Sequence, residues 1–350
     1  DLHPVAHSYP TRRSSDLEIN PFYPESGGQL GDRGTLIGED VELEVIDTQK
    51  FGEKTVLIAD MVKGSEIKNI IYTARVDPDR RRSTARNHTA THLIHAALRE
   101  TVGEHVQQSG SLVEADRLRF DFSHDQPLTL DERFTIEQKV NKWIRENHPV
   151  STQTMDIREA RENGAMALFS EKYSDRVRVV SVGDLSLELC GGTHTRSTGD
   201  VGLCKIVSEE SVAAGIRRIT AVSGEIAVLE TQKKDRLVQE LCGRFNAKQD
   251  SLLPSLDKLT TENRQLHKEI RKLKSGSAKK TFSGLEEKVQ EINGVPFVCA
   301  QAENVSSGDL RSQVDRLKKK LGSAVILLAS SDKNKEIGRA SCRERVCHRV

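Results

Sequence analysis

The chain has 350 residues, enough for two or three domains with cores of their own. With 36% hydrophobic and 30% charged residues and a formal charge of +1, it reads as soluble, with no apolar run of the roughly 18 residues a membrane span needs and no global field for general DNA binding. The 6 cysteines are irregularly spaced, which argues against a disulfide scaffold and for a reducing compartment, the cytosol by default.

Residues 1–17 carry no usable periodicity. From 18 to 78 the pattern is strand-like: Val41, Leu43 and Val45 alternate with Glu42 and Glu44, and 55–59 and 70–76 are β-rich runs between glycine turns. Strands this short predict a small β-barrel or sandwich, opened by the loop from Phe22 to Gln29. After Pro78, Ser83 or Thr84 caps a helix running to about 102, with Gly103 as its stop and Leu93, Ile94, Ala97 and Leu98 as its buried stripe. A second helix covers 131–147, anchored by Phe134, Ile136, Val140, Trp143 and Ile144. Strands follow at 176–181, 186–189, 202–208 and 218–222. Helices and strands mixed without a steady βαβ rhythm predict an α+β fold over 79–224.

The stretch 225–280 is a helical connector. In it Leu252, Leu256, Leu259, Asn263, Leu266, Ile270 and Leu273 follow a heptad, with Asn263 at a register-setting position. Ser275 to Lys280 reads as a flexible linker. Residues 281–336 form a strand–helix–strand α/β unit that is cut short. The missing initiator methionine predicts a fragment, and no apolar leader is present. Both ends, 1–17 and 337–350, read like translated sequencing-adaptor text. The alternative for the second is a basic RNA-binding tail, since Arg339, Arg343, Arg345 and Arg349 cluster there. On the adaptor reading Cys342, Cys347 and His348 are not metal ligands.

His88 and His92 stand four apart, so a helix projects both imidazoles from one face. Cys190-Gly-Gly-Thr-His194 sets a thiolate and a third imidazole on one glycine turn. Alone, the first is as readily a surface or core pair and the second an ordinary turn. Within one domain-sized window they make a tetrahedral N/S set suited to Zn²⁺. His95 competes as a ligand or serves as a hydrogen-bonded core histidine. Ser186, Glu188 and Cys190 alternate with Leu185, Leu187 and Leu189, so Cys190 leaves the strand away from its apolar face. Glu188 is a solvated strand carboxylate or a general base.

Arg86-Asn-His-Thr-Ala-Thr-His-Leu93, Glu188-Leu-Cys-Gly-Gly-Thr-His194 and Phe22-Tyr-Pro-Glu-Ser-Gly-Gly-Gln29 together resemble the editing domain of the bacterial alanyl-tRNA synthetase family. The likeness continues through Gly110-Ser-Leu, Leu118-Arg-Phe-Asp-Phe-Ser-His124, Gly164-Ala-Met-Ala-Leu168 and Ala213-Ala-Gly-Ile-Arg-Arg218, over about 18–335. It implies a β-barrel, a zinc editing core, a helical connector and the start of a C-terminal tRNA-binding domain, without the class II domain that charges tRNA(Ala) using ATP and Mg²⁺. An alanine pocket rejects serine and glycine poorly, so a second site hydrolyses Ser-tRNA(Ala) and Gly-tRNA(Ala). The resemblance further implies that Gly27, Gly28, Gln29 and Thr193 meet the amino acid or terminal adenosine. Arg217 or Arg218, with Arg217 preferred, meets the terminal phosphate. Arg80-Arg81-Arg82 and Lys318-Lys319-Lys320 are solvated faces or tRNA-steering patches. The partner implied is tRNA(Ala), with neither membrane nor DNA; residues 252–273 form a homodimer seam or an internal hairpin. A free-standing trans-editing protein and a structural-zinc RNA-binding module are the alternatives. Threonyl-tRNA synthetase editing domains share the histidine–cysteine plan, but the Gly-Gly-Gln loop and the heptad fit the alanyl family better.

Overall fold

The computed structural model describes residues 20–52, 54–67, 70–166, 175–281, 284–303, 305, 307–332 and 335–341. Residues 1–17, Ala167, Leu168 and 342–350, which hold most of the two adaptor-like ends and part of the family likeness, lie outside them, while 337–341 are described. The chain divides into two units, Asp1–Asp235 and Arg236–Val350.

The first unit opens with β1 (Gly34–Ile37), β2 (Glu42–Phe51), β3 (Lys54–Lys63) and β4 (Thr73–Val76), an antiparallel sheet in the order β3-β2-β1-β4. Alternation sends Leu43 and Val45, with Val41, Leu36 and Phe22, into one small core. This corrects the expected barrel: among the described residues β3 and β4 are the free edges of an open sheet. Four strands are too few to close, since even about 8 leave an interior only just filled by side chains.

Helix α1 (Pro78–Val102) starts earlier than expected. Asp77 Oδ1 accepts the Asp79 and Arg80 N–H groups at 3.0 Å each, and Pro78 takes the first position, where its missing N–H costs nothing. Ser83 and Thr84 therefore lie inside the helix rather than capping it. Gly103 ends it as expected. The chain continues through β5 (Gln108–Val113), β6 (Leu118–Ser123), α2 (Leu130–Glu146), β7 (Val150–Asp156), α3 (Ile157–Glu162), β8 (Arg176–Val182), β9 (Ser186–Leu189), β10 (Cys204–Ala213), β11 (Ile216–Ser223) and α4 (Gly224–Phe245). Two antiparallel sheets result, β10-β11-β6-β5 and β7-β8-β9. A Thr129–Glu132 capping box starts α2, which buries Ile136, Val140, Trp143 and Ile144. Phe134 is 56% exposed instead of buried, because two residues of helix turn it about 200° away from Ile136. Leu93, Ile94, Ala97 and Leu98 pack with Phe120, Phe122, Ile136, Val140 and Ile219 in the main core. As α1 is buried on nearly every side between Thr84 and Leu98, its histidines are drawn inside too.

The second unit holds α5 (Leu252–Thr281), β12 (Gln290–Ile292), β13 (Val295–Glu303), α6 (Ser307–Leu321), β14 (Val325–Asp332) and β15 (Lys335–Ser341). Parallel β13 and β14 joined through α6 realise the expected strand–helix–strand unit, with β12 and β15 as antiparallel edges. Helix α5 runs through 275–280, where a flexible linker is expected; a single interior glycine costs only about 1 kcal/mol relative to alanine, so the helix propagates past it. Leu259, Leu266, Ile270 and Leu273 of the heptad are exposed.

Candidate metal centre

Helix periodicity and the glycine turn meet in one place: donor atoms of His88, His92, Cys190 and His194 lie within 4.8 Å of one another. Cys190 Sγ is 3.3 Å from His88 Nε2 and 3.3 Å from His194 Nε2. A tetrahedral zinc with Zn–S about 2.3 Å and Zn–N about 2.0–2.1 Å spaces S and N roughly 3.5 Å apart, so the donor set fits that ion. Burial disfavours the thiolate, but His88 and hydrogen bonding from His194 outweigh it and hold Cys190 well below its ordinary pKa. Burial and the neighbouring His88 push His194 down to about 3. Burial also opposes charge on His92, yet the Glu188 carboxylate carries it up to about 9.

Two of the three imidazoles are held by their other nitrogen, while His92 Nδ1 makes no hydrogen bond among the described residues. Gln29 Oε1 accepts the Thr193 backbone N–H at 2.8 Å, which identifies that atom as the oxygen; His88 Nδ1, 2.8 Å away, must then donate to it. The lone pair of His88 therefore sits on Nε2, facing Cys190. His194 Nδ1 lies 3.2 Å from Thr89 Oγ1, which also receives the Thr195 N–H at 3.1 Å. Thr195 Oγ1 reaches both Ser197 O at 2.8 Å and Thr89 Oγ1 at 3.2 Å, which ties Thr89 to the turn that carries His194. His92 Nδ1 faces Glu188 Oε2 at 3.3 Å.

Glu188 corrects one expectation: at 1% exposure it is no solvated carboxylate. His95, at 2% exposure, is a hydrogen-bonded core histidine, its Nδ1 3.1 Å from Glu188 Oε1. As expected, Cys190 leaves β9 on the face of Ser186 and Glu188, while Leu187 and Leu189 pack into a separate cluster with Val177 and Val179. The turn is pinned by Arg178, unforeseen from the sequence, whose Nη1 donates to Cys190 O at 2.8 Å and Gly192 O at 2.7 Å.

The Gly-Gly-Gln loop arrives from the first sheet. Gly27 and Gly28 take φ of 58° and 82°, and the loop is stitched to β5 by Val113 N–H to Gly28 O at 2.7 Å. Gln29 is fully buried and Thr193 bonds to it, so these two predicted residues join the metal centre directly. Arg217 and Arg218 instead make their hydrogen bonds along the β10-β11-β6 sheet, Arg217 Nε to Glu209 at 2.5 Å and Arg218 to both oxygens of Asp121 at 2.6 and 2.8 Å. Arg81 is not a solvated residue: it forks onto Asp32, itself 4% exposed, and donates to Pro21 O at 2.8 Å, clamping α1 to the loop.

Residues 177–220 match the threonyl and alanyl tRNA synthetase second additional domain, and residues 17–80 match class II (A) tRNA synthetases. More narrowly, the chain belongs to the alanyl-tRNA synthetase family. It is 46% identical over 319 residues to the alanine–tRNA ligase of Legionella pneumophila (strain Lens) and 44% over 319 residues to that of Idiomarina loihiensis. To that of Nitrosomonas eutropha it is 47% identical over 320 residues. Each match covers 91% of this chain and 37% of the relative, so the chain spans a little over a third of those ligases. No described helix is long and apolar enough to cross a membrane.

Proposed function

We propose that this chain binds one zinc ion through His88, His92, Cys190 and His194 and hydrolyses the ester of mischarged Ser-tRNA(Ala) and Gly-tRNA(Ala), as the editing part of a cytosolic alanine–tRNA ligase. The observation that carries the reading is the donor quartet within 4.8 Å. A bound zinc supplies Lewis acidity toward the ester carbonyl or a water of lowered pKa. Gln29 keeps the His88 lone pair turned inward, Thr89 holds His194 by its Nδ1, and Arg178 holds the turn that carries Cys190. Gln29 Nε2, buried and without a hydrogen-bond partner among the described residues, is the donor this reading assigns to the substrate, with Gly27, Gly28 and Thr193 around it. Arg217 and Arg218 are assigned to the tRNA terminus, each trading its carboxylate for phosphate. Under this reading 18–78 supplies the loop, 79–224 the chemistry, 225–280 a connector and 281–336 a tRNA contact. Alanine activation with ATP and Mg²⁺ belongs to the proposal for the whole ligase.

One observation favours a second reading. Four protein ligands fill a tetrahedral shell, the hallmark of a structural zinc in an RNA-binding module. Deacylation of Ser-tRNA(Ala) by this chain, with Ala-tRNA(Ala) as the correct ester and zinc measured on the same samples, separates the two. Editing predicts serine release that Cys190→Ala abolishes. Zinc-loaded protein that binds tRNA(Ala) without releasing serine establishes the structural role instead.

A further inference from the structure

A carboxylate at 1% exposure needs partners for both oxygens, because burying it unpaired is prohibitive. Glu188 Oε1 accepts from Ser186 Oγ at 2.8 Å and from His95 Nδ1 at 3.1 Å, and Oε2 lies 3.3 Å from His92 Nδ1, an ion-pair distance at which the ring nitrogen is not aligned for a hydrogen bond. Two of these partners sit one turn apart on α1, and Glu188 itself stands two residues before Cys190 on β9. One side chain therefore sets the helix that carries His92 against the strand that carries Cys190. The other two imidazoles face neutral side chains, Gln29 for His88 and Thr89 for His194. Of the three, only His92 faces a carboxylate.

We propose that Glu188 is a positioning residue for the ion: it holds His92 with Nδ1–H turned outward and the Nε2 lone pair turned to the other three donors, while Ser186 and His95 hold the carboxylate. The inference rests on the zinc reading above and adds to it a residue that touches neither metal nor substrate. The alternative is a merely structural Glu188, which ties β9 to α1 whether or not an ion is bound.

The test is a chelator-competition titration of zinc into metal-stripped protein, for the unmodified chain, Glu188→Gln and Ser186→Ala, with thermal unfolding of stripped and loaded forms. Glu188→Gln keeps the shape and removes the charge, so zinc affinity is expected to fall about 10–100-fold. The gap in Tm between loaded and stripped protein shrinks with it, because ligand stabilisation follows affinity. Ser186→Ala, which only loosens the carboxylate, gives a smaller loss in the same direction. Affinity within about twofold of the unmodified chain, or an equal drop in Tm for stripped and loaded forms, overturns the proposal. Should Glu188→Gln fail to fold, Ser186→Ala and the ¹⁵N shifts of His92 in the loaded unmodified chain decide it: Nδ1 protonated is expected, and Nε2 protonated overturns it. An unmodified chain that takes up no zinc overturns the zinc reading first and this one with it, whereas zinc uptake unaffected by Glu188 overturns this one alone.

Discussion

At the scale of single residues, the two glycines of Cys190-Gly-Gly-Thr-His194 are not equivalent. A Cβ at Gly192 falls 2.0 Å from His88 Cε1 and 2.8 Å from Gln29 Oε1, whereas a Cβ at Gly191 meets nothing within 4 Å. Gly192→Ala is therefore expected to push the His88 ring out of the donor set and strip the protein of zinc, while Gly191→Ala retains it; metal content after purification reads the difference. Equal zinc in both variants means that the ring has room to give. That these four candidate donors would meet was legible because helical period and a short turn are local signals. Their partners were not: Gln29 reaches His88 across 59 positions, His95 reaches Glu188 across 93 and Thr89 reaches His194 across 105. Nothing in single-sequence spacing joins such pairs. The alternation that placed Cys190 on the polar face of β9 also placed Glu188 there, but that face looks at α1 rather than at water.

At the scale of elements, α1 has two separable supports, its cap and its core stripe. Asp77→Ala removes the side-chain acceptor at the N-terminus and is expected to cost about 1 kcal/mol. Leu98→Ala, in a fully buried position, costs about 2–5 kcal/mol through lost burial and the cavity left behind. Urea unfolding of zinc-loaded protein measures both, and a larger loss for the cap than for the core contradicts this ranking. The stripe was readable from 3.6-residue periodicity, but the start of the helix was not. Ser83 and Thr84 are good caps in isolation, and Asp77-Pro78 outcompetes them because proline also supplies the helical φ. Strand β6 went unread although its signal is local: Leu118, Phe120 and Phe122 are buried and alternate with half-buried Arg119 and Asp121. Helix α5 makes the opposite point: its heptad predicts a seam, and within this chain Leu259, Leu266, Ile270 and Leu273 face solvent. Leu266→Lys is accordingly expected to leave the fold intact and to abolish any self-association seen by sedimentation. A monomeric unmodified chain removes the homodimer from the reading.

At the scale of the whole molecule, metal and fold are linked through only one of the two units. The four donors come from α1 and the turn after β9, and the residues that hold them, Gln29, Thr89, Arg178 and Glu188, belong to Asp1–Asp235 as well. The second unit has its own core, in which Val298, Leu310, Val314, Leu317, Ile326 and Leu328 pack together without any of those residues. An ion that binds the folded first unit and not its unfolded chain stabilises that unit by mass action, and has no differential affinity through which to stabilise the other. Calorimetry with and without a zinc chelator is therefore expected to show two unfolding transitions. Chelation lowers the temperature of one and leaves the other in place. Assignment follows from Gly192→Ala, which should reproduce the chelated pattern without chelator, since its added methyl group meets the His88 ring in the first unit. A single transition that moves as a whole means that the two units unfold as one cooperative body. Two transitions that both shift mean that the ion is held by more than these four residues.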